Sequence, residues 1–371
     1  MTPILESVLP FRRLAFPVLL LAAAGPLRAQ SVDTIHLIDG SRITGARVIS
    51  WNVKELRYRR GSEEKILDGE RVLDVELNQS LVRGMLKSAR RAVTEEDWAT
   101  AYEKFMEAGN KAQARKKLKD FLPQFAYWRA FEVARDHGTP EDRKEAISEL
   151  LKAAPDSFYL PRIWSDRIRD AYRRAGQSRE GLERVKGVVA AWKAEVEKLE
   201  LPSRFQIDAE LETVLIRQRL REIPAPEVQK KLESLLTRCE GAYPGLANRM
   251  KLELANATLL GGDTAKAREM YDAILESGVA DQATLAGAYL GRGHSRFRAK
   301  DRKPEDARLA LLDYMRVAVL FPDIDDELVG EALYYAERAY RAWTPTPPII
   351  ALRRLRTALK TKYAESSWAK K

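Results

Sequence analysis

Hydrophobic and polar positions alternate with period two from Asp33 to about Asn78, and then change to a period near 3.6 that continues to the C-terminus. In the first stretch the short runs 34–38, 42–48, 56–58, 65–67 and 72–77 are separated by Asp39-Gly40, Gly45, Asn52, Gly61-Ser62 and Asp68-Gly69. Alternation broken by DG and GS turns predicts antiparallel strands, about five in a module of roughly 45 residues. A sheet that small removes its exposed edges by closing, so a small antiparallel β-barrel is expected over 33–78. From Ser80 onward, helical segments are divided by Gly, Pro or Asn with no strand signal, so 80–371 is expected to be all helix. The fold class is mainly α.

The helical part repeats itself. Ala89 and Ala101 stand 12 apart, as do Ala134 and Ala146, and Ala255 and Ala267. In each case larger apolar residues follow the second alanine: Phe105, Leu150, and Tyr271 with Ile274. Two antiparallel helices joined by a tight turn can approach closely only where facing positions are small, which is the physical reason for such an offset. Gly138, Gly176 and Gly261-Gly262 fall in the turns, and Pro155, Pro244 and Pro322 follow second helices, which they cannot continue.

These residues resemble the tetratricopeptide repeat family, in six or seven degenerate copies covering most of 80–371. The resemblance implies a solenoid of helical hairpins; an α-solenoid of another repeat class is the alternative. Departures are visible: an insertion (AKDRKPED) precedes Ala307, Gly181 stands where a small alanine is expected, and 344–348 (TPTPP) breaks the last pair. The end of the chain, LRRLRTALKTKYAESSWAKK, looks like a closing helix with a Ser-rich exit. The opening DTIHLIDGSRITGARV resembles SH3-like and Sm-like small barrels, which serve peptide-binding, RNA-binding and structural roles alike.

Composition changes the picture in two respects. The 371 residues are 45% hydrophobic and 32% charged, which suits an elongated helical stack with more surface per residue than a sphere. The formal net charge is +10, and residues 1–29, with Arg12, Arg13 and Arg28 against Glu6, account for +2 of it. The balance favours acidic partners without requiring nucleic acid. Those first 29 residues read as a signal peptide: Arg12-Arg13 ends a basic region, 14–24 (LAFPVLLLAAA) is a short apolar core, and cleavage is expected after Ala29 or Ala24. Pro17 interrupts the core, which is shorter than the roughly 20 residues a membrane span needs. A retained anchor is the alternative; either implies an exported protein, periplasmic or otherwise associated with the cell envelope, or secreted. The single cysteine, Cys239, follows the register of Leu232, Leu235 and Leu236, and is expected to be a small buried hydrophobe.

The spacings that chemistry requires are missing. His36, His137 and His294 have no second His or Cys at ligand spacing, so neither a metal nor any other cofactor is expected. The glycine clusters at 259–264 and 291–295 lack the spacing of a phosphate loop, and no nucleophile elbow occurs. Acid pairs such as Glu95-Glu96 and Asp325-Asp326 suit helix starts. Arg57–Arg60 lies on a strand with Arg57 and Arg59 on one face, which is expected to be a solvated outer face with Tyr58 in the core; a nucleic-acid surface is the alternative, and nucleic acid is not expected as a partner. The chain is therefore expected not to be an enzyme.

In the repeat family, ligands touch the first helix of each hairpin just after its small residue and six positions before it. Transferred here, the resemblance implies contacts from Arg90, Arg135, Asn256 and Arg292, and from Arg83, Trp128, Arg249 and Leu285. Five of those eight are arginines, whose fixed fork of donors suits carboxylates. The expected function is a non-catalytic exported scaffold or adaptor that binds a protein or peptide, with the β module as a second contact or docked on the first repeat. Cell-envelope assembly, in which the β module recognises peptide or glycan while the repeats self-associate, is the alternative.

Overall fold

The computed structural model describes residues 32–371 apart from 177, 279, 345, 347 and 348. The leader expected at 1–29 lies outside the described residues, as does most of the proline-rich break.

All five strands form: β1 (Asp33–Leu37), β2 (Arg42–Trp51), β3 (Glu55–Arg60), β4 (Glu63–Asp68) and β5 (Val72–Glu76). They make one antiparallel sheet in the order β4-β3-β2-β1-β5. Gly40 and Gly61 close hairpins with φ of 83° and 64°, and Gly45 at φ 75° lets the long β2 bend and serve both halves of the sheet. The expected closed barrel is not formed, because β4 and β5 remain at opposite edges and do not pair. The reason lies in β4, where no residue is fully buried; it has no inward face to complete a barrel wall. Helices cover the open face instead. Trp51 packs against Phe158 and Tyr159 at 4.6 and 5.3 Å, and one hydrophobic cluster runs from Ile35 and Val75 through Leu86, Phe105 and Phe131.

Fourteen α-helices follow among the described residues, as seven antiparallel pairs. They are α1 (Ser80–Thr94) with α2 (Trp98–Gln113), α3 (Leu122–His137) with α4 (Pro140–Ala153), α5 (Leu160–Ala175) with α6 (Arg179–Lys198), and α7 (Ser203–Arg219) with α8 (Ala225–Cys239). Then come α9 (Pro244–Leu260) with α10 (Thr264–Glu276), α11 (Gln282–Phe297) with α12 (Pro304–Leu320), and α13 (Asp326–Trp343) with α14 (Ile349–Lys362). The starts obey local chemistry: the side chains of Asp97, Thr139, Ser178, Asp263, Asp281 and Asp325 each accept a hydrogen bond from a first-turn N–H.

The alanines of the 12-residue offset are all buried where paired helices meet. A second device does the same work. Gly109 lies against the ring of Tyr127, Gly291 against Tyr271 and Gly293 against Tyr314, so a large ring fills the hollow left by a missing side chain. Each of these rings is fully buried. Covering side chains of that size contributes about 1.5–3 kcal/mol apiece, so the three anchors matter to a stack whose hairpins touch only their neighbours.

The sheet does more than cap the first repeat. Gln124 on α3 donates to the Trp51 carbonyl, and Arg129 on the same helix pairs with Asp74 at 3.0 Å. Arg162 on α5 donates to the Leu73 carbonyl, Arg204 on α7 to the Glu70 carbonyl at 2.9 Å, and the Tyr243 hydroxyl, just before α9, to the Glu70 carboxylate at 3.2 Å. The sheet thus lies across the N-terminal portions of four successive first helices. A buried carboxylate joins it to the solenoid: Asp33 accepts from the N–H groups of Val48, Asn78 and Gln79 and from the Gln79 side chain. No helix among the described residues is long and apolar enough to cross a membrane.

Candidate binding groove

With the sheet occupying the N-terminal portions of the first helices, the rest of the inner surface forms a cavity of about 1350 Å³. It is bounded by α5, the start of α6, α7, α9 and the end of α11 on one side, and by α13 with the C-terminus on the other. The stack therefore curls until its third hairpin looks across at its seventh.

Basic groups dominate the wall toward α5 and α7. Arg169 and Arg173 project from α5, Arg179 from the start of α6, Arg219 and Arg221 from the end of α7, and Arg298 from just beyond α11. Arg219 lies 4.3 Å over the ring of Tyr172, whose hydroxyl is pushed up to about 12, chiefly by burial. That hydroxyl makes no hydrogen bond among the described residues. Among the described residues Arg169 and Arg173 pair only with i,i+3 acids of their own helix, the largely buried Asp166 at 3.1 Å and the half-exposed Asp170 at 3.3 Å. The Arg173 pair, open to water on both sides, is worth about 0–1 kcal/mol and is easily exchanged for another carboxylate. Arg179, Arg221 and Arg298 form no ion pair among the described residues.

The acidic groups opposite are already in use. Asp325 caps α13 through the Leu328 N–H; Glu327 accepts from the Ser367 N–H at 2.7 Å and its hydroxyl at 2.8 Å; Glu331 meets His294 at 3.2 Å. On the α9 wall Glu253 accepts from the Asn256 amide at 3.1 Å and forms no ion pair among the described residues, one such carboxylate beside three such arginines, so the unpaired charge of the lining arginines outweighs it.

The residues implied by the repeat resemblance are spread widely. Arg83 and Arg90 turn back to the carbonyls of Asn78 and Leu77, at 3.1 and 2.7 Å, and secure the entry to α1. Trp128 is buried and stacks on Tyr159 at 4.6 Å. Arg135 pairs with Asp136 on its own helix. Asn256 accepts from the Tyr271 hydroxyl at 2.7 Å. Arg292 spans Asp272 and the buried Asp313, at 2.7 and 2.6 Å. Leu285 starts the second turn of α11. Only Arg249 lines the cavity, and it is held by Asp208 at 3.0 Å and by Glu212. Burial opposes its charge, but those two carboxylates more than offset this and keep its pKa above the usual arginine value.

Apart from Arg179 at the start of α6, the groove arginines that the resemblance did not indicate share a sequence signal. They come from basic clusters at the ends of first helices, RDAYRRAG, RQRLRE and SRFRAK. Cations there also favour the helix dipole, a local reason for their presence that conceals any other.

The remaining candidates are structural in their contacts. His294 is buried between the Tyr314 hydroxyl at 2.9 Å and Glu331, and its pKa lies below the usual histidine value because burial disfavours the cation. His137 ends α3 and stacks on Trp98 at 3.9 Å, and His36 meets Glu76 at 2.9 Å on the sheet. Cys239 is fully buried, and burial raises its thiol pKa. Tyr58 is buried while Arg57 and Arg59 face outward to Glu55 and Glu64. No group of three or more potential metal ligands occurs among the described residues.

No family model matches the chain, and no curated protein is similar to it in sequence. Among solved structures it is similar to Bacillus thuringiensis PlcR in complex with the peptide PapR7 and DNA, at 12% identity and a TM-score of 0.47, over 70% of this chain and 94% of that one. A likeness that weak says nothing about this chain's partners.

Proposed function

We propose that this protein is a non-catalytic scaffold whose inner groove holds an extended, acidic segment of a partner protein. The observation that carries the proposal is the cavity of about 1350 Å³ whose acids are bound to neighbouring groups while Arg179, Arg221 and Arg298 are not. Arginine's planar fork binds carboxylates bidentately, and several such forks around a groove favour a chain with repeated acids or a free C-terminus. A protein segment suits the site better than nucleic acid, because Glu327 and Glu331 on the opposite wall would repel a continuous phosphate backbone.

The test is capture of partners by the full chain and by a variant carrying Arg173→Glu, Arg221→Glu and Arg298→Glu. All three side chains are exposed, so folding should be retained, and circular dichroism checks this. Loss of a Glu-rich peptide and of the captured partner together is expected. Equal capture by both proteins would overturn the reading.

Export is the other half of the proposal, supported by the basic, apolar and small-residue order of 1–29. Recovery of a chain beginning at Gln30 or Gly25 from the cell envelope is expected. An uncleaved chain in the cytoplasm would refute it.

A further inference from the structure

Ten large hydrophobic residues are exposed among those described, and six of them sit on the last three helices: Leu312, Val319, Leu320, Trp343, Ile349 and Ile350. Exposure reaches 66% at Val319 and 73% at Ile349. The outer helix of an earlier pair is different; α8 turns Glu227, Lys230, Glu233 and Arg238 to solvent. The apolar surface is therefore local to one end of the solenoid, and contiguous apolar patches on a surface mark interaction sites.

Three of the six, Leu312, Val319 and Ile350, line a groove of about 640 Å³ between α12 and α14, floored by Leu333 and Tyr340 of α13. One wall is apolar, with Leu311, Met315 and Val319 of α12. The other is the row Ile350, Arg354, Ala358 and Lys362, spaced four apart on one face of α14. That row rises about 18 Å, at about 1.5 Å per residue, which matches three to four turns of a helix lying alongside.

Charge selects the occupant. Helix α14 carries Arg353, Arg354, Arg356, Lys360 and Lys362 and no acid. Arg356 is neutralised by Glu337 at 2.7 Å; the other four bases form no ion pair among the described residues. Arg354 and Lys362 are the charged residues that line the groove, and both are positive. A recessed channel also fits a rod better than a bilayer, which would require the apolar side chains to protrude beyond the basic ones.

We infer that this groove docks an amphipathic helix of a partner protein, apolar on one face and acidic on its flanks. The site lies outside the arginine-lined inner groove and stands or falls separately from it. Leu, Ile or Phe at i, i+3, i+4 and i+7 of the partner fill the channel, and Glu or Asp beside them meets Arg354 and Lys362.

The experiment uses the full chain and two labelled 16-residue helical peptides with the same apolar stripe, one flanked by Glu and one by Lys, read by fluorescence anisotropy. The acidic peptide is expected to bind saturably and at least tenfold more tightly than the basic one. Leu312→Glu should weaken binding at least tenfold, while the double variant R354E/K362E should reverse the preference between peptides. The reversal distinguishes lost docking from misfolding, since a misfolded groove binds neither. Equal binding of the two peptides, absence of saturable binding, or an unaltered preference in the double variant overturns the inference. So does preferential capture by phosphatidylglycerol vesicles, or a dimer in sedimentation that Val319→Glu dissolves; these would assign the groove to lipid or to a second copy. The Arg173, Arg221 and Arg298 variant should bind the acidic helix normally, which separates this site from the inner groove.

Discussion

Replacing Asp313 with alanine should destabilise the C-terminal half of the solenoid by about 3 kcal/mol, the low end of the range for breaking a buried charge cluster. Asp313 is fully buried and serves three arginines. Arg292 reaches it through Nε at 3.0 Å and through Nη2 at 2.6 Å, Arg316 at 2.7 Å and Arg296 at 3.3 Å. Without the carboxylate, Arg292 and Arg296 are left largely buried with only Asp272 nearby, while the more exposed Arg316 can return to water. This is why the low end of the range applies. For a cooperative unit with a urea m-value of about 2 kcal/mol per molar, the midpoint should fall by about 1–2 M. Hairpins of a stack can unfold separately, so the reading must be local: hydrogen exchange followed by mass spectrometry should show lost protection in α11–α13 and little change in α3–α5. Asp313→Asn keeps an acceptor and should cost less. The effect should persist in 0.5 M salt, because screening acts mainly on exposed charge. A loss under about 1 kcal/mol, or one spread evenly along the chain, would refute the assignment of Arg292 to a structural cluster and return it to the pool of partner contacts.

His294 gives the fold a pH dependence of definite sign. Its folded pKa lies below the unfolded value of 6.5, so the unfolded chain takes up a proton first as pH falls, and stability present above pH 6.5 declines below it. A urea midpoint that drops from pH 7.5 to 5.5, with the His294-dependent part of the drop removed in His294→Gln, is expected; an identical slope in the variant would exclude His294 as the cause. Gly291→Ala would place a methyl 2.3 Å from the Tyr271 ring and should cost about 1–3 kcal/mol in thermal or urea melts. Gly187→Ala, on the exposed face of α6 with nothing within 4 Å, should instead be neutral or stabilise by up to about 1 kcal/mol. Deleting residues 1–78 removes the sheet from a shared core, so the remaining helices should bind a hydrophobic dye and aggregate; a well-behaved monomer would mean that the solenoid is independent.

Much of the architecture is legible along the chain because it rests on local periodicity. The strand runs, the turn at Asp39-Gly40 and the alanine offset each reflect a constraint acting within a few dozen residues. Barrel closure was not legible, because it depends on whether two edges distant in sequence find each other; the weak burial of β4 decides that, and helices supply the missing wall. The last residues were read as an exit, yet Trp368 folds back and is buried against Tyr334 and Tyr335. Position rules carried from regular repeats point to α1, α3, α9 and α11, of whose eight residues Arg249 alone lines the cavity, and they pass over α5, α7 and α13. Arg249 finds its acids, Asp208 and Glu212, on α7 of the preceding hairpin, and Arg292 reaches Asp313 across its own hairpin and Asp272 on α10 of the preceding one; spacing along a single helix reveals neither pairing.

The docking of the sheet also explains where binding can occur. A solenoid needs something polar over its first hydrophobic face, and here the sheet meets that need while covering the N-terminal portions of α3, α5 and α7 through Arg129, Arg162 and Arg204. Those three arginines are spent on carbonyls and carboxylates of the sheet. The arginines at the opposite ends of the first helices, Arg173, Arg221 and Arg298, have no such claim on them. The same architectural choice that stabilises the N-terminal hairpins thus divides the inner surface in two, one half occupied by the chain itself and one half left cationic and open.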